Sequence, residues 1–387
     1  MWHLSSNTLL ARVGGHTKGA SYRSFLHNVN TIGEADAVRI VRFEYSCMVQ
    51  THDFIKEHQI DCDARRLETI DIVYDQGQWN QAQESVALMR KLMGHDDLAA
   101  KYTFRDASET MKGFLAPGAI GSISYEAGSL NAYRLVIGIL RLALAKGLNL
   151  QCNTPAMSIS SEERGRWSVR TPRGVISSER LILATNGYTA QLYPKLLGVI
   201  VPLRGFVTAQ RPGKAMAHTG LSTTYSFIYR GGYEYMIPQP KGAKFAGDII
   251  IGGGLTKTAD EGLNEYGNTD DTGLNDEVIE YLKSSTEKYF GGNWGDDHPE
   301  GRIRKAWSGV MGFSGDGFPL VGPIPAEEGL YIAAAFQGHG MVNCFLCAKA
   351  LTRILTGENG EELDSWFPMA YRMSESRLAT KFLSKIH

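Results

Sequence analysis

Three consecutive residues, Gly338, His339 and Gly340, stand between a short apolar run from Tyr331 to Phe336 and a helical pattern from Met341 to Leu355. A strand, a histidine flanked by glycines and a helix start can do chemistry together. Glycine lets a ligand approach the backbone closely. The first helical turn carries unpaired N–H groups and the positive end of the helix dipole, and both favour negative charge. The stretch "GHGMVN" nearly spells G-x-G-x-x-G, with Asn343 in place of the third glycine. That fingerprint also needs a second parallel strand ending in an acid about 20 residues on. Here the helix stops at Gly357, and residues 358–375 supply a polar loop, Pro368 and no buried strand. The dinucleotide reading is rejected. Two readings stay open for the turn itself: a backbone contact to a ligand, or a tight loop with nothing bound.

Cys344 and Cys347 form a C-x-x-C, but inside the expected helix, where packing is a simpler role than redox or metal chemistry. The five cysteines (Cys47, Cys62, Cys152, Cys344 and Cys347) are odd in number and scattered, which argues against a secreted disulfide framework. No metal site is expected. The chain has 387 residues, 43% hydrophobic, with a formal net charge of −1. Its length suits two to three domains at about 150 residues each. The charge balance gives no reason to expect nucleic acid or a membrane as partner. No apolar stretch approaches the roughly 18 residues of a spanning helix, and residues 1–13 hold too short an apolar run for a signal peptide. A cytoplasmic protein is the expectation.

Residues 33–58 have helical spacing at Val38, Val41, Tyr45, Met48 and Val49. Leu67 to Tyr74 reads as a strand, 79–93 as a helix, and 131–147 as a strong helix stopped by Gly147. "LNLQCN" is expected as the strand that follows. Pro172-Arg173-Gly174 marks a hairpin between Trp167–Thr171 and Val175–Ser178, and Leu181–Ala184 reads as a buried strand ending at Thr185-Asn186-Gly187. Residues 199–254 are β-rich, with a Gly-Gly turn at 231–232, and a helix is expected at about 275–289. An antiparallel block thus sits inside an α/β frame.

Three stretches carry a resemblance. "DGFPLVGPIPAEEGLYIAAAFQGHGM" (316–341) resembles the C-terminal signature of FAD-dependent oxidoreductases of the D-amino-acid oxidase / sarcosine oxidase type. "RLILATNGYT" (180–189) followed by "VPLRG" (201–205) resembles that family's central motif, and "ARVGGHTKGASY" (11–22) is similar to a segment of its glycine-oxidase-like subgroup. They lie in the family's order and cover nearly the whole chain. The resemblance implies that Gly338, His339, Gly340 and Met341 face the pyrimidine side of a flavin, where a helix N-terminus stabilises the charge of the reduced ring. It implies that Thr185, Asn186 and Gly187 form a strand-end turn near the cofactor and that Gly14, Gly15 and His16 line its other edge. His16 and His339 each have a plain alternative as hydrogen-bonded structural histidines.

The implied fold is α/β: a two-domain flavoprotein of the D-amino-acid oxidase type, with an FAD domain assembled from residues 1–59, 115–198 and 300–387. A substrate domain would comprise 60–114 and 199–299. The implied activity is oxidation of a C–N bond in an amine or amino acid by hydride transfer to flavin N5, with dioxygen or another acceptor taking the electrons. No catalytic residue is assigned. Arg204 is a candidate partner for a substrate carboxylate or a member of a structural salt bridge; Tyr233 and Tyr235 are candidate pocket walls or plain strand residues. Three departures stand out. The family's opening βαβ unit, with its phosphate loop and ribose-binding acid, is not seen before Gly14, so the FAD domain is expected to be N-terminally truncated. That opens an alternative: a non-catalytic relic or partner-binding scaffold that holds FAD weakly. Val13 stands where the subgroup usually has asparagine, and Trp307 stands where some members carry a flavin-attaching cysteine, so covalent attachment of that type is not expected.

Overall fold

The computed structural model describes residues 14–216, 221–358 and 360–382. Val13 lies outside the described residues. Along the chain run β1 (His16–Thr17), α1 (Tyr22–Ile32), α2 (Glu34–Glu57), β2 (Arg65–Val73), α3 (Gln76–Met93), β3 (Thr103–Asp106), β4 (Gly121–Ser129) and α4 (Ala132–Ala145). Then come β5 (Ser158–Glu162), β6 (Arg166–Thr171), β7 (Gly174–Ser178), β8 (Leu181–Leu183), β9 (Ile200–Gln210), β10 (Thr224–Tyr229), β11 (Gly232–Pro238) and β12 (Ile249–Gly252). Last are α5 (Asp276–Phe290), β13 (Ile303–Ser314), β14 (Leu320–Pro323), β15 (Leu330–Ala334) and α6 (Cys344–Thr356).

The largest sheet has the order β1-β4-β2-β10-β11-β12-β9-β13, with β3 beside β4. All its pairs are antiparallel except β2 with β10. Strand alternation gives the sheet two different faces. On one, Ile70, Ile72, Tyr225, Phe227 and Met236 pack under α5, where the Phe227 and Tyr289 rings stack 3.8 Å apart. Each such side chain, once buried, contributes about 1.5–3 kcal/mol. The other face of the same strands carries Thr69, Asp71, Thr224 and Ser226, all buried. Polar residues need partners when removed from water, and the segment 14–23 supplies them.

α2 holds that segment in place. Its buried stripe of Ile40, Val41, Phe43, Cys47, Met48 and Ile55 follows helical spacing, and Asp36 in its first turn accepts the Met369 and Ala370 amides at 3.0 and 2.8 Å. A second, small sheet, β14-β15-β8, carries the glycine turn at the end of β15, with β8 parallel to β15. β8 lies at its edge: no described strand pairs with its other side. α4, capped by Asn131, is rich in apolar residues, yet only Ala132 and Leu135 are buried, and Ile139 and Leu144 are 37% and 46% exposed.

Two expectations are corrected. "LNLQCN" is not a strand: Leu148, Asn149, Cys152 and Asn153 are exposed, and no neighbouring strand accepts their ladder bonds. The helix expected from Met341 opens instead as a 3-10 turn, Gly340–Val342, before α6 begins at Cys344. Both β1 and β4, grouped by sequence with the FAD pieces, hydrogen-bond into the large sheet.

Candidate functional site

The segment 14–23 crosses the polar face of the large sheet and meets one strand after another. Gly14 lies against β11: a Cβ there would come within 2.6 Å of the Tyr235 ring. At Gly15, φ is +77° and a Cβ would strike the Leu130 carbonyl oxygen at 1.9 Å, so glycine is required. His16 reaches β10, with Nε2 2.8 Å from Thr224 Oγ1. The Thr224 hydroxyl donates to Thr69 Oγ1 at 2.8 Å, so it accepts from His16, which must carry its proton on Nε2. Burial, then Lys18 and Arg65, hold the His16 pKa well below the ordinary value, so the ring is neutral.

Lys18 reaches further across. Its ammonium is ion-paired with Asp71 and donates to Ser226 Oγ at 2.7 Å. Asp71 Oδ2 also accepts from the Tyr22 and Tyr125 hydroxyls, at 2.7 and 2.8 Å. Burial lowers the Lys18 pKa, and the Asp71 charge opposes that shift. The same aspartate raises the Tyr22 and Tyr125 pKa values, with burial as the larger cause. Arg23 lies one step beyond, its guanidinium 3.8 Å from the centre of the Tyr233 ring. Among the described residues no carboxylate pairs with it. Tyr233 and Tyr235 are half-buried on one face of β11, and their hydroxyls meet no described hydrogen-bonding partner.

Next to this segment sits the glycine turn, whose 3-10 start touches β1. The chain leaves β15 through two non-glycine residues in the left-handed region, Ala335 (φ 59°) and Gln337 (φ 53°), followed by Gly338 (φ 72°). Such backbone costs about 1–3 kcal/mol per residue and gathers at functional sites. Hydrogen bonds hold it: Gln337 N donates to Gly312 O at 3.0 Å, and Phe336 N to Asn186 Oδ1 at 3.2 Å. Asn186 is itself left-handed, at φ 45°, and Gly187 is so close to β13 that a Cβ would meet Met311 O at 2.5 Å. Thr185 bonds Thr189 across the same turn at 2.9 Å. The 185–187 and 335–338 turns are therefore one unit, locked onto Met311 and Gly312.

His339 Nδ1 is 2.9 Å from the Gln337 carbonyl oxygen. Burial lowers its pKa, the Gln337 carbonyl opposes this, and Arg23 lowers it further. Asn343 Nδ2 donates to His339 O at 3.0 Å, while its Oδ1 is buried with no partner. Met341 packs toward Leu130 and Leu135. Behind the turn, Glu44 of α2 is buried with the Ser21 hydroxyl donating to it and, among the described residues, no cation paired with it. Burial raises its pKa to about 7 against the lesser pull of Ser21 and Asn343. Cys344 and Cys347 pack nearby as free thiols, and burial pushes Cys344 up to about 12.

The structure thus brings Gly14, Gly15, His16, Tyr233, Tyr235, Gly338, His339, Gly340 and Met341 to one region, with Thr185, Asn186 and Gly187 bracing it. Arg204 is different. Its guanidinium binds Glu265, with Nε 2.6 Å from Oε2, and donates to Asp270 O at 3.0 Å. Its donors are taken by a 3%-exposed carboxylate in a salt bridge, the second of the two roles the sequence left open. Sequence reading missed Lys18, Arg23, Glu44 and Asp71. One signal was present: an aspartate between Ile70 and Ile72 in a buried strand needs a cation. Among the described residues no group of three or more His, Cys, Asp or Glu is placed to hold a metal, and no helix is long and apolar enough to cross a membrane.

Comparison with known proteins bears on the family and the fold. The chain is 23% identical over 310 residues to the probable oxidoreductase OrdL of Rhizobium meliloti, covering 76% of this chain and 64% of that one. It is 26% identical over 198 residues to glycine oxidase of Pseudomonas putida, covering 51% of this chain and 47% of that one. The chain therefore spans about half to two thirds of the length of these curated relatives. The crystal structure of glycine oxidase from Geobacillus kaustophilus superposes with a TM-score of 0.72 over 96% of this chain and 89% of that one, at 14% identity, which shows the fold. The family described as FAD dependent oxidoreductase matches residues 5–354, and the chain belongs to it.

Proposed function

We propose that this chain oxidises the C–N bond of an amino acid, using FAD, and that Arg23 binds the substrate carboxylate. The observation that carries the reading is the charge balance of the site. Lys18 and Arg23 are cations; Asp71 is the one acid of the cluster, and Lys18 together with two tyrosines already occupies it. Arg23, over the Tyr233 ring, has no carboxylate paired with it among the described residues, and the Asp71 charge reaches it only from farther off. A guanidinium so placed favours a planar anion, which it grips through two parallel hydrogen bonds.

The residues present fit the flavin end of FAD. A Cβ on Gly340 would crowd Cys344 Sγ at 3.2 Å and meet Phe336 Cβ at 3.7 Å, so the missing side chain lets a ligand come close to the turn's backbone. The Gly340 and Met341 amides take no part in the turn's hydrogen bonds, which suits the electron-rich pyrimidine edge. When bound, FAD supplies the acceptor for the substrate hydride, at N5, and passes the electrons to dioxygen or another acceptor. The protein's share is to bind and orient. Arg23 holds the carboxylate, the Tyr233 ring lies under the guanidinium, Tyr235 walls the site at Gly14, and the neutral His16 adds no competing charge. The imine formed is hydrolysed by water.

A second reading, a chain that holds FAD weakly, draws on the open edge of β8 and the uncovered apolar face of α4. Titration of the purified chain with FAD separates the two. Stoichiometric flavin, bleached anaerobically by an amino acid but not by the matching amine without a carboxylate, supports the first. A colourless protein, or bleaching by both compounds alike, refutes it.

A further inference from the structure

We infer that His339 is a catalytic residue: its Nε2 lone pair takes the proton from the substrate's ammonium group. This rests on the reading above, in which Arg23 holds an amino acid beside the glycine turn.

The argument begins with the tautomer. A carbonyl oxygen only accepts, so the Gln337 carbonyl, 2.9 Å away, fixes the proton on His339 Nδ1. Nε2 is then bare, and no described group donates to it. The His339 backbone is held from both sides. Its carbonyl accepts from Asn343 Nδ2, and its amide donates to Phe336 O at 2.7 Å. Gln337, which orients it, is pinned in turn: its Nε2 donates to Ser314 Oγ at 2.8 Å and to Ala335 O at 2.9 Å. A histidine that only held the fold would gain by using both nitrogens; this one uses one and leaves the other free, in a turn that touches β1 and within reach of the Arg23 charge.

Two other groups compete for the role. His16 also has a bare nitrogen, Nδ1, but it donates to a hydroxyl rather than a carbonyl, with Lys18 and Arg65 opposing its protonation. Lys18 is committed to Asp71 and Ser226. Burial and Arg23 oppose protonation of His339 as well, but the Gln337 carbonyl favours it, a support that His16 lacks, and this singles out His339 as the proton acceptor.

The step balances. The N–H bond of the ammonium breaks and an Nε2–H bond forms, leaving a neutral amine. Its lone pair becomes the second C–N bond as the Cα hydride leaves to FAD, the two-electron oxidant. The product is an imine cation, and the histidine returns its proton to solvent.

The test has two arms. Nitrogen-15 NMR of histidine-labelled protein, with and without FAD, is expected to show His339 neutral at pH 7 with its proton on Nδ1; a proton on Nε2, or an imidazolium, overturns the inference. In the FAD-loaded protein, His339→Asn is expected to slow anaerobic flavin bleaching at pH 7 by about a hundredfold or more. The deficit should shrink at high pH, where the substrate sheds its own proton, while acetate binding, read from the flavin spectrum, stays unchanged. A uniform deficit at all pH values, or none, refutes the role. Should that variant fail to hold FAD, the tautomer still decides. Failure of the underlying reading looks different: Arg23→Ala would then leave acetate binding intact.

Discussion

Replacing Glu44 with Gln should remove a pH dependence of stability that the native protein carries. The carboxyl is buried, the Ser21 hydroxyl donates to it, and among the described residues no cation pairs with it. Its folded pKa stands near 7 against an ordinary value of 4.5. Native protein therefore binds more protons than unfolded chain between those values, and stability falls as pH rises through that window. The contribution is fully present below about pH 4.5 and gone above about pH 7. At 1.36 kcal/mol per unit the loss comes to about 3 kcal/mol. Neighbours do not blur the window: burial pushes Cys47 up to about 11 and raises the Tyr102 and Tyr371 pKa values. Glutamine keeps an acceptor for Ser21 and stays neutral. Urea unfolding of both proteins at pH 5 and pH 8 should show a small difference at pH 5 and the native protein weaker by about 3 kcal/mol at pH 8. A gap that does not change with pH would mean that Glu44 is already ionised at pH 5, and the desolvation argument would fail. The outcome matters for function because Glu44 and Ser21 join α2 to the segment 14–23, and Asn343 beside them holds the His339 carbonyl.

Arg23→Ala should raise the KM for an amino acid about a hundredfold, the loss of charge-assisted bonds worth about 1.5–3 kcal/mol each, with little change for an amine lacking a carboxylate; steady-state kinetics on the pair checks this. Gly340→Val should leave the melting temperature within a few degrees, since no protein atom lies within 3.0 Å of the new Cβ, yet lower the flavin content, read as the ratio of 450 nm to 280 nm absorbance. Asp71→Leu strands the Lys18 charge and two tyrosine hydroxyls and should cost about 3–5 kcal/mol in urea unfolding; adding Lys18→Met should recover a good part of it, and a strictly additive pair would show that the two charges are not coupled.

Local chemistry in the sequence determined the elements and the special turns. Gly15 has to be glycine because its φ is +77°, and Gly14 because the Tyr235 ring lies against it; "GGH" announces both. The β15–turn–α6 unit was legible because glycine, an apolar run and helical spacing act within about twenty residues. What the sequence left open was the fate of each charge. Arg204 and Arg23 look alike in one dimension. Only the folded chain brings Glu265 to Arg204 across 61 residues and leaves Arg23 on a tyrosine ring with, among the described residues, no carboxylate paired to it. Likewise Lys18 finds Asp71 only because β1 and β2 both pair with β4. "LNLQCN" fails as a strand for the same reason: a strand exists by virtue of a neighbour, and none lies beside it. Periodicity and turn residues act over a few bonds, whereas ion pairing, burial and proton placement depend on which distant segments share a wall, and that is settled by tertiary packing.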